Sequence, residues 1–425
     1  MIRFHKNRPV FTNYFVFAVS STRQPVIVVG AGPAGATAAL ALASAGIPVR
    51  LLDRAPFPRN KPCGGGISAR VLQRFPYLGP ELSRIVTHTV SRMYLEGPDG
   101  QSAVIEAGRP AALMIRRVEF DALLVSLAVA AGAELVPNAD IVQAREDAGR
   151  VTLDARDGRR FDAPVVIAAD GVHSVVARRL GLNRGWPASA VALDMMEETP
   201  RAQLREADPS TLWVAYGDHG YAYVFPKRDH VNAGIGYVLS HYRDAIDEAP
   251  YDVQRAFVDG LRARGILDGA SAREHFTPFL IPIGGPLRAP GRGRVLLAGD
   301  AGGFVNAVTA EGIYYAMVSG ELAARAVQSA PDVSTLAARY RRAVDYEIGA
   351  ELRDSVRIQR YLFADRRRIA QMIDGANREA ALQRIMIEFV TGFRSYRSLR
   401  RQILLRSPAL LLPFLCDCLT KRTHG

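Results

Sequence analysis

Short apolar runs and a longer helical pattern alternate in the first part of the chain. The run Val26–Val29 is continuously apolar, as expected of a parallel strand that is buried on both faces. A glycine-rich turn follows, and then an Ala- and Leu-rich stretch through Ala43 predicts a helix that Gly46 should end. A second strand is predicted at Val49–Leu52. This order predicts a strand–helix–strand unit.

The later part of the chain contains segments of two kinds. Phe120–Ala131 predicts another helix, and Val165–Ala169 and Val295–Ala298 predict further buried strands. Residues 183–282 are richer in aromatics, alternate polar with apolar positions, and are punctuated by Gly and Pro, which favours an antiparallel sheet. From Ser334 onward the pattern is helical and rich in arginine.

These patterns predict an α/β fold, α+β overall, with a discontinuous nucleotide-binding domain of the Rossmann type. That domain is expected at residues 25–182 and 283–333. An inserted antiparallel-sheet substrate domain is expected at 183–282, with a contribution from about 75–110, and a C-terminal helical region at 334–425.

A glycine motif stands between the first predicted strand and helix. Gly30 permits a tight turn, Gly32 lets the backbone approach a pyrophosphate, and Gly35 lets the helix pack closely on the strand. Free N–H groups at the start of the helix would bind phosphate oxygens. Asp53, at the end of the second strand, is placed to accept hydrogen bonds from an adenosine ribose. A carboxylate there disfavours a ribose 2′-phosphate, so the motif predicts FAD or NAD rather than NADP.

Two later turns decide between FAD and NAD. Ala169–Ser174 and Arg294–Gly303 each follow a predicted strand and resemble motifs shared by flavoprotein hydroxylases and their relatives. In those proteins the Asp of the second motif contacts the flavin ribityl chain, which implies that role for Asp300; Asp170 would belong to the same cofactor site. A helix N-cap is an alternative and compatible role for Asp300. Three nucleotide motifs in this order predict FAD.

Four segments resemble the geranylgeranyl reductase family, a branch of the flavoproteins similar to para-hydroxybenzoate hydroxylase. They are the cysteine–glycine segment Pro58–Ser68, the helix start Arg117–Asp121, the strand Tyr221–Lys227 and the segment Val305–Ala316. The resemblance runs from about Val26 to Ser319. Carried over position by position, it implies that FAD contacts Ala34, Asp53, Cys63, Gly64, Arg117, Asp300, Gly312 and Ile313.

Cys63 admits two interpretations. It is either a thiol near the isoalloxazine that gates access or donates a proton, or a small residue packed tightly under three glycines. The sequence shows no activating partner for this thiol. Both interpretations remain open from the sequence.

The substrate cavity is expected between the flavin face and the strand that carries Tyr221, Tyr223 and Phe225. The family has a tryptophan where this chain has Tyr223, which implies a substrate that is smaller or more polar than a long polyprenyl chain. The alternative is that these aromatics, at period-two spacing, are simply the core of a sheet.

The resemblance implies that reduced FAD gives a hydride to one carbon of a C=C bond in a prenyl or other lipid-like substrate. A proton then reaches the other carbon. NAD(P)H, another reductant or an electron-donor protein would reduce the flavin. Gly303 and Ala307 stand where hydroxylases usually carry His and Pro, which favours a reductase. The rival hypotheses are a flavin-dependent monooxygenase or halogenase, and a flavoprotein that relays electrons to a membrane quinone.

Basic residues are concentrated near the C-terminus. The 425-residue chain has a formal charge of +12, and residues 339–425 hold 18 Arg and Lys against 9 Asp and Glu. No nucleic-acid-binding motif accompanies this charge. Arg397–Arg406 within the terminal segment Arg394–Gly425 predicts a basic amphipathic helix that lies on a membrane surface, or else docks on the enzyme's own core.

The remaining features favour a cytoplasmic enzyme, with peripheral membrane contact as a further hypothesis. The three cysteines, Cys63, Cys416 and Cys418, are too few for a disulfide framework and predict no metal site. Residues 1–24 faintly resemble a signal peptide, but we expect a flexible extension.

Overall fold

The computed structural model describes residues 24–378 and 380–392. The expectations for residues 1–23, for the basic segment Arg394–Gly425 and for Cys416 and Cys418 therefore concern residues outside the described ranges. The described strands, numbered along the chain, are β1 (Val26–Val29), β2 (Val49–Leu52), β3 (Gly66–Ser68), β4 (Thr87–Val90), β5 (Arg92–Glu96), β6 (Ser102–Glu106), β7 (Ala112–Ile115), β8 (Glu134–Val136), β9 (Ile141–Glu146), β10 (Val151–Ala155), β11 (Arg160–Ala163), β12 (Val166–Ala168), β13 (Val191–Pro200), β14 (Leu204–Glu206), β15 (Thr211–Gly217), β16 (Gly220–Pro226), β17 (His230–Val238), β18 (Leu267–Gly269), β19 (Phe276–Pro282), β20 (Gly291–Arg292) and β21 (Val295–Leu297).

The α-helices of the same residues are numbered in the same way. They are α1 (Pro33–Ser44), α2 (Val71–Arg74), α3 (Leu78–Glu81), α4 (Arg117–Ala130), α5 (Val175–Arg179), α6 (Leu239–Ala245), α7 (Pro250–Ala263), α8 (Ile313–Ser329), α9 (Val333–Val344), α10 (Ala350–Leu362), α11 (Arg366–Arg378) and α12 (Ala380–Thr391). Short 3-10 turns lie at Leu82–Arg84, Ala188–Ala190, Arg273–His275 and Gly299–Gly302, and a π-helical turn at Asp345–Gly349 joins α9 to α10.

A six-stranded sheet in the order β20-β21-β12-β1-β2-β8 forms the centre of the first layer. The strands from β21 to β8 are parallel. Ile27 and Val28, neighbours on β1, are both fully buried because α1, α4 and α8 pack on one face of the sheet and β9–β11 pack on the other. The continuous apolar runs of the sequence are therefore strands covered on both faces. This confirms the Rossmann-like fold.

A seven-stranded sheet in the order β19-β13-β17-β16-β15-β5-β6 forms the second large unit. Its neighbours pair antiparallel except for β15 and β5, which are parallel. The chain contributes β5 and β6 to this sheet, returns to the six-stranded sheet, and then supplies β13, β15, β16, β17 and β19, while β14 and β18 pair with each other in a separate two-stranded sheet. Helix α7 covers one face around Trp213, Ala222 and Val258, and the other face turns toward the glycine-rich segments of the first layer.

The helices that follow α8 pack against both units. Tyr340 in α9 is fully buried, and its hydroxyl donates to the carbonyl oxygen of Leu297 at 2.7 Å. Ile369 and Ile373 of α11 are buried beside Ala103 at the edge of the seven-stranded sheet. Within the described ranges, none of the helices is both long enough and apolar enough to cross a membrane.

Candidate active site

The turn between β1 and α1 is held by close backbone contacts at two of its three glycines. Gly30 has a φ of +94°, and a Cβ atom there would lie 2.3 Å from the carbonyl oxygen of Ala169. A Cβ atom on Gly35 would lie 1.8 Å from the carbonyl oxygen of Gly30. Both distances are far below van der Waals contact, so these two positions accept only glycine.

Gly32 differs because the space above it is open. The atoms nearest to a Cβ placed there are guanidinium nitrogens of Arg59 and Arg117, at 3.8 and 3.9 Å. Gly32 is also the N-cap of α1, and no side chain caps the free N–H groups of that helix. A helix N-terminus and two guanidinium groups therefore surround one small space, and that combination binds a phosphate or diphosphate.

A network of buried charges positions the two arginines. Arg117 donates two hydrogen bonds of 2.7 Å to Asp121, which is fully buried, and Arg59 donates to Asp121 at 3.1 Å and to Asp53 at 3.4 Å. Burial lowers the pKa of Arg117, but the charge and hydrogen bonds of Asp121 and an interaction with Cys63 raise it, and the pKa lies above its ordinary value. Arg117 therefore remains a cation in the site.

Asp53 lies at the end of β2, where the sequence places it. Its carboxylate accepts hydrogen bonds from the backbone N–H groups of Ala31 and Ala55 at 2.8 and 3.0 Å. These bonds fix the carboxylate beside the glycine turn, and its remaining acceptor capacity is what a ribose hydroxyl would use. Its contact with a ribose stays a prediction.

The two later aspartates have different surroundings. Asp170 accepts hydrogen bonds from the Ser174 hydroxyl at 2.5 Å and from the N–H groups of Val175 and Val176 at 2.8 and 3.2 Å. Both oxygens of Asp170 thus stabilise the start of α5, and a contact with the cofactor stays a prediction. Asp300 lies inside the 3-10 turn Gly299–Gly302, where its carboxylate accepts no hydrogen bond from a described residue.

The start of α8 faces the Asp300 carboxylate. A Cβ atom on Gly312 would lie 3.7 Å from Asp300 Oδ1, and Ile313 is the first residue of the helix. Ala34 packs beneath this region, because a Cβ on Gly299 would lie 3.0 Å from the Ala34 Cβ. The structure therefore brings Ala34, Asp300, Gly312 and Ile313 to one side of the glycine turn.

The cysteine–glycine segment lies between this side and the seven-stranded sheet. Asn232 on β17 donates to the carbonyl oxygen of Cys63 at 3.1 Å, and the Cys63 thiol accepts from the N–H of Gly65 at 3.4 Å. A Cβ on Gly64 would lie 3.0 Å from the Phe225 ring and 3.2 Å from the Tyr223 ring. Glycine is needed at position 64 because the aromatic rings of the sheet approach its backbone.

Two cations that the sequence did not connect to Cys63 lie beside it. One is Arg117, and the other is Lys61. Burial and the charge of Arg117 lower the pKa of Lys61, while electrostatic interactions with Asp300 and the neighbouring Cys63 side chain act in the opposite direction. Lys61 is two positions before Cys63 in the sequence, and Arg117 is 54 positions after it. The sequence analysis found no activating partner for this thiol, so neither neighbour was predicted.

The aromatic side chains of β16 form one continuous surface. The ring centroids of Tyr221 and Tyr223 are 6.0 Å apart, and those of Tyr223 and Phe225 are 4.4 Å apart. Tyr221 donates to the carbonyl oxygen of Thr309 at 3.4 Å, and Tyr223 is 2% exposed. The three rings face the cysteine–glycine segment, and their role as a cavity wall stays a prediction.

A separate surface cavity of about 220 Å³ lies outside this arrangement. Its lining includes His173, Arg178, Arg184, Trp186 and Arg243. It is therefore distinct from the aromatic surface of β16, and none of the site residues that the sequence predicts lines it.

Comparison with known proteins identifies the family. Residues 23–324 match the model of the FAD binding domain family. A menaquinone reductase of Mycobacterium tuberculosis is 31% identical over 326 residues, which are 72% of this chain and 76% of that protein. A digeranylgeranylglycerophospholipid reductase of Methanocella arvoryzae is 30% identical over 410 residues, 91% of this chain and 97% of that protein.

A solved structure shares the fold over nearly the whole chain. It is a geranylgeranyl bacteriochlorophyll reductase-like protein from Thermoplasma acidophilum, with a TM-score of 0.71 and 20% identity. The alignment covers 91% of this chain and 97% of that one.

Proposed function

This chain belongs to the FAD binding domain family, and within it to the geranylgeranyl reductase family, and we propose on that premise that it saturates C=C bonds in a prenyl or other lipid-like chain. It is an FAD-dependent oxidoreductase. What we propose beyond that class is the kind of bond that it reduces and the residues that serve the reaction.

The residues around Gly32 suit the diphosphate of FAD. The open space above Gly32, the uncapped start of α1 and the guanidinium groups of Arg59 and Arg117 together offer several N–H donors and two positive charges to one anion. Asp53 would hold the ribose, and Asp300 would accept hydrogen bonds from the ribityl chain. When bound, reduced FAD supplies the hydride that one carbon of the double bond receives.

The observation that carries the proposal is the aromatic surface of β16 opposite the cysteine–glycine segment. Tyr221, Tyr223 and Phe225 present apolar ring faces to the side of the molecule where the cofactor residues meet. Apolar walls favour a hydrocarbon chain, whose burial contributes about 0.8 kcal/mol per methylene. They also exclude water from the site, which protects a reduced flavin and a developing carbanionic centre.

The names of the relatives agree with this substrate class. Digeranylgeranylglycerophospholipid and menaquinone are both lipids that carry prenyl chains. The hydroxyl of Tyr223, at the position of the family's tryptophan, favours a shorter or more polar substrate in this chain. We propose that NAD(P)H or a donor protein supplies the electrons. We also propose that the basic C-terminal segment contacts a membrane and that the lipid substrate reaches the site from there.

An anaerobic turnover experiment tests the proposal. The FAD-loaded protein is reduced with dithionite in a sealed cell and mixed with geranylgeranyl diphosphate, a geranylgeranylated glycerolipid or menaquinone, and the products are analysed by mass spectrometry. We expect a gain of two hydrogens for each reduced bond, without oxygen. A product that forms only in the presence of oxygen would instead identify a monooxygenase or halogenase. Flavin reoxidation by a quinone that leaves the carbon skeleton unchanged would identify an electron relay.

A further inference from the structure

A buried carboxyl group lies on the same sheet face as the aromatic surface. Asp194 on β13 pairs with Gly236 on β17, and Gly236 pairs with Tyr221 on β16. On the outer side Asp194 pairs with Phe279 on β19. Directly paired residues of adjacent strands project to the same face. Asp194 therefore faces the cofactor side together with Tyr221, and not the core under α7.

Among the residues that the structure describes, Asp194 forms no ion pair. It is 4% exposed, and among the described residues its hydrogen-bond partner is the hydroxyl of Tyr223, at 3.3 Å from Oδ1 and 3.5 Å from Oδ2. Asp121, by contrast, is buried with two arginines. Burial raises the pKa of Asp194 to about 7, and the hydrogen bond from Tyr223 opposes that shift only in part. A buried carboxyl without a cation destabilises the fold when it is ionised, so its presence needs a reason beyond stability.

Two glycines on β17 give the pair its geometry. A Cβ atom on Gly234 would lie 2.4 Å from both Cζ and the hydroxyl oxygen of Tyr223, so the phenol ring lies directly across β17 to reach Asp194. Above Gly236 the nearest atoms are those of Leu193 and Asp194 themselves, at 3.4 to 3.8 Å. A Cβ atom at position 236 would therefore make only ordinary van der Waals contacts, whereas one at position 234 would collide with the phenol ring.

The ring of Tyr223 extends from Asp194 to the cysteine–glycine segment. A Cβ on Gly64 would lie 3.2 Å from Cε2 of Tyr223, so the ring spans from Asp194 to the segment that the cofactor contacts. The neighbouring hydroxyl of Tyr221 is committed to the carbonyl oxygen of Thr309. Burial and the nearby Asp194 keep the pKa of Tyr223 well above 10, so its phenol carries a proton at every physiological pH.

We propose that Tyr223 and Asp194 are the proton donor of the reduction, with Tyr223 giving its hydroxyl proton to the carbon that does not receive the hydride. The C–H bond forms as the Tyr223 O–H bond breaks. Asp194 then passes its carboxyl proton to the phenolate, and solvent reprotonates Asp194. Hydride and proton together add two hydrogens across the double bond, with the electron pair supplied by reduced FAD. This rests on the proposed function and specifies its second half.

The groups that face Asp194 support this direction of transfer. They are Tyr221 and Tyr223 on β16, and beyond them Tyr216 on β15 and Cys63 of the cysteine–glycine segment. Strand β17 contributes Gly234 and Gly236, and β19 contributes Phe279, none of which titrates. Lys61 lies over the Phe279 ring, with its Nζ 5.7 Å from the ring centroid, and burial lowers the pKa of this lysine. Because burial favours the neutral acid, Asp194 holds its proton below about pH 7 and loses it above. Above that pH Asp194 is ionised and holds no proton to return to the phenolate, so proton donation by Tyr223 should slow as the pH rises through about 7.

The test compares Asp194→Asn and Tyr223→Phe with two matched controls. Glu197→Gln changes a fully buried carboxyl on the opposite face of the same strand. Tyr216→Phe removes a phenol hydroxyl from the same sheet face, at the partner of Tyr221 on β15, where no hydrogen bond to Asp194 is lost. Flavin reoxidation by substrate is followed in single turnovers of the prereduced protein between pH 5.5 and 8.5, a span of about 1.5 units on either side of the expected pKa. We expect both test variants to react about 10²-fold to 10⁴-fold more slowly and without the fall near pH 7, and both controls to behave as the wild type.

A spectroscopic measurement gives an answer that does not depend on turnover. Infrared difference spectra should show a protonated carboxyl band in the wild type that disappears as the pH rises through about 7. The band should be absent from Asp194→Asn, shifted in Tyr223→Phe, and retained in Glu197→Gln. Tyr223→Phe keeps the ring and its packing, so it tests the relay even if Asp194→Asn loses flavin.

The outcomes separate the two proposals. A wild-type protein that saturates no prenyl chain refutes the proposed function. A wild type that does so while Tyr223→Phe or Asp194→Asn keeps its rate and pH profile refutes the proton donor alone. The absence of a titrating band that depends on Asp194 refutes it as well.

Discussion

Separate substitutions of Gly32 and Gly35 should distinguish flavin binding from folding. Gly32 has φ −73° and ψ −173°, an extended conformation that any residue adopts, and a Cβ there contacts only two guanidinium nitrogens at 3.8 and 3.9 Å. Gly32→Val therefore adds its side chain to open space. A Cβ on Gly35, by contrast, would lie 1.8 Å from a backbone oxygen, which the turn cannot accommodate.

The expected magnitudes follow from these contacts. Valine at position 32 fills the space between the start of α1 and the two arginines, so a diphosphate loses its approach to the backbone. Losing two charge-assisted hydrogen bonds costs at least about 3 kcal/mol, which weakens FAD binding roughly a hundredfold or more. The free energy of unfolding of the flavin-free protein should change by less than about 1 kcal/mol, because an extended backbone accepts valine without strain.

Two measurements check this prediction. Titration of the flavin-free protein with FAD, followed by quenching of flavin fluorescence, gives the affinity, and urea unfolding of the same preparations gives the stability. Gly35→Ala is the matched comparison and should lose folding and flavin together. A Gly32→Val protein that retains its full flavin content would refute the assignment of this turn to the diphosphate. A stable Gly35→Ala protein would refute the geometric account.

Four further substitutions or truncations have definite expectations. Asp300→Ala should weaken FAD binding by about 1.5–3 kcal/mol without unfolding the protein, because its carboxylate makes no cap bond; unchanged affinity in the same fluorescence titration would exclude the ribityl contact. Asp121→Asn should lower the free energy of unfolding by about 3 kcal/mol in urea, because two buried guanidinium groups lose their counter-charge. Tyr223→Trp should change the ratio of kcat/KM between a long and a short prenyl substrate more than it changes flavin content, and an equal shift for both would make the residue scaffold. Truncation after Tyr396 should abolish any salt-sensitive sedimentation with anionic liposomes, and no sedimentation of the full chain at low salt would refute the membrane contact.

The local signals in the sequence were sufficient to predict the first strand–helix–strand unit and its glycine turn. A glycine that packs on a backbone oxygen, such as Gly35, and an acidic residue at a strand end, such as Asp53, lie within one strand–helix–strand unit. Their spacing is set by the regular geometry of that unit, so a pattern of about thirty residues contains the necessary information. Asp170 shows the limit of a local pattern. Its motif predicts a cofactor contact, but in the structure both carboxylate oxygens accept hydrogen bonds from Ser174 and Val175 at the start of α5.

Contacts between distant segments were not visible in the sequence. Arg59 and Arg117 are 58 positions apart, and only the fold places both guanidinium groups above Gly32. The same holds for Cys63, whose cationic neighbour Arg117 lies at the start of α4. The sequence offered one signal for Arg59, namely its position in the segment that resembles the family. Its partner Asp121 lies in α4, beyond α2 and α3 in the chain.

Asp194 is the clearest case of information that only strand register supplies. The strand Val191–Pro200 contains three acidic residues, and alternation alone places Asp194 and Glu198 on one face and Glu197 on the other without saying which face is which. The pairing of Asp194 with Gly236, and of Gly236 with Tyr221, decides that question. A shift of one residue would turn Asp194 toward the core under α7 and Glu197 toward the aromatic surface. In the observed register Gly234 lies under the ring of Tyr223, and the same register places Asp194 within reach of the phenol. The proton donor and the packing of this sheet therefore depend on the same three strands, and a substitution of Gly234 should disturb both at once.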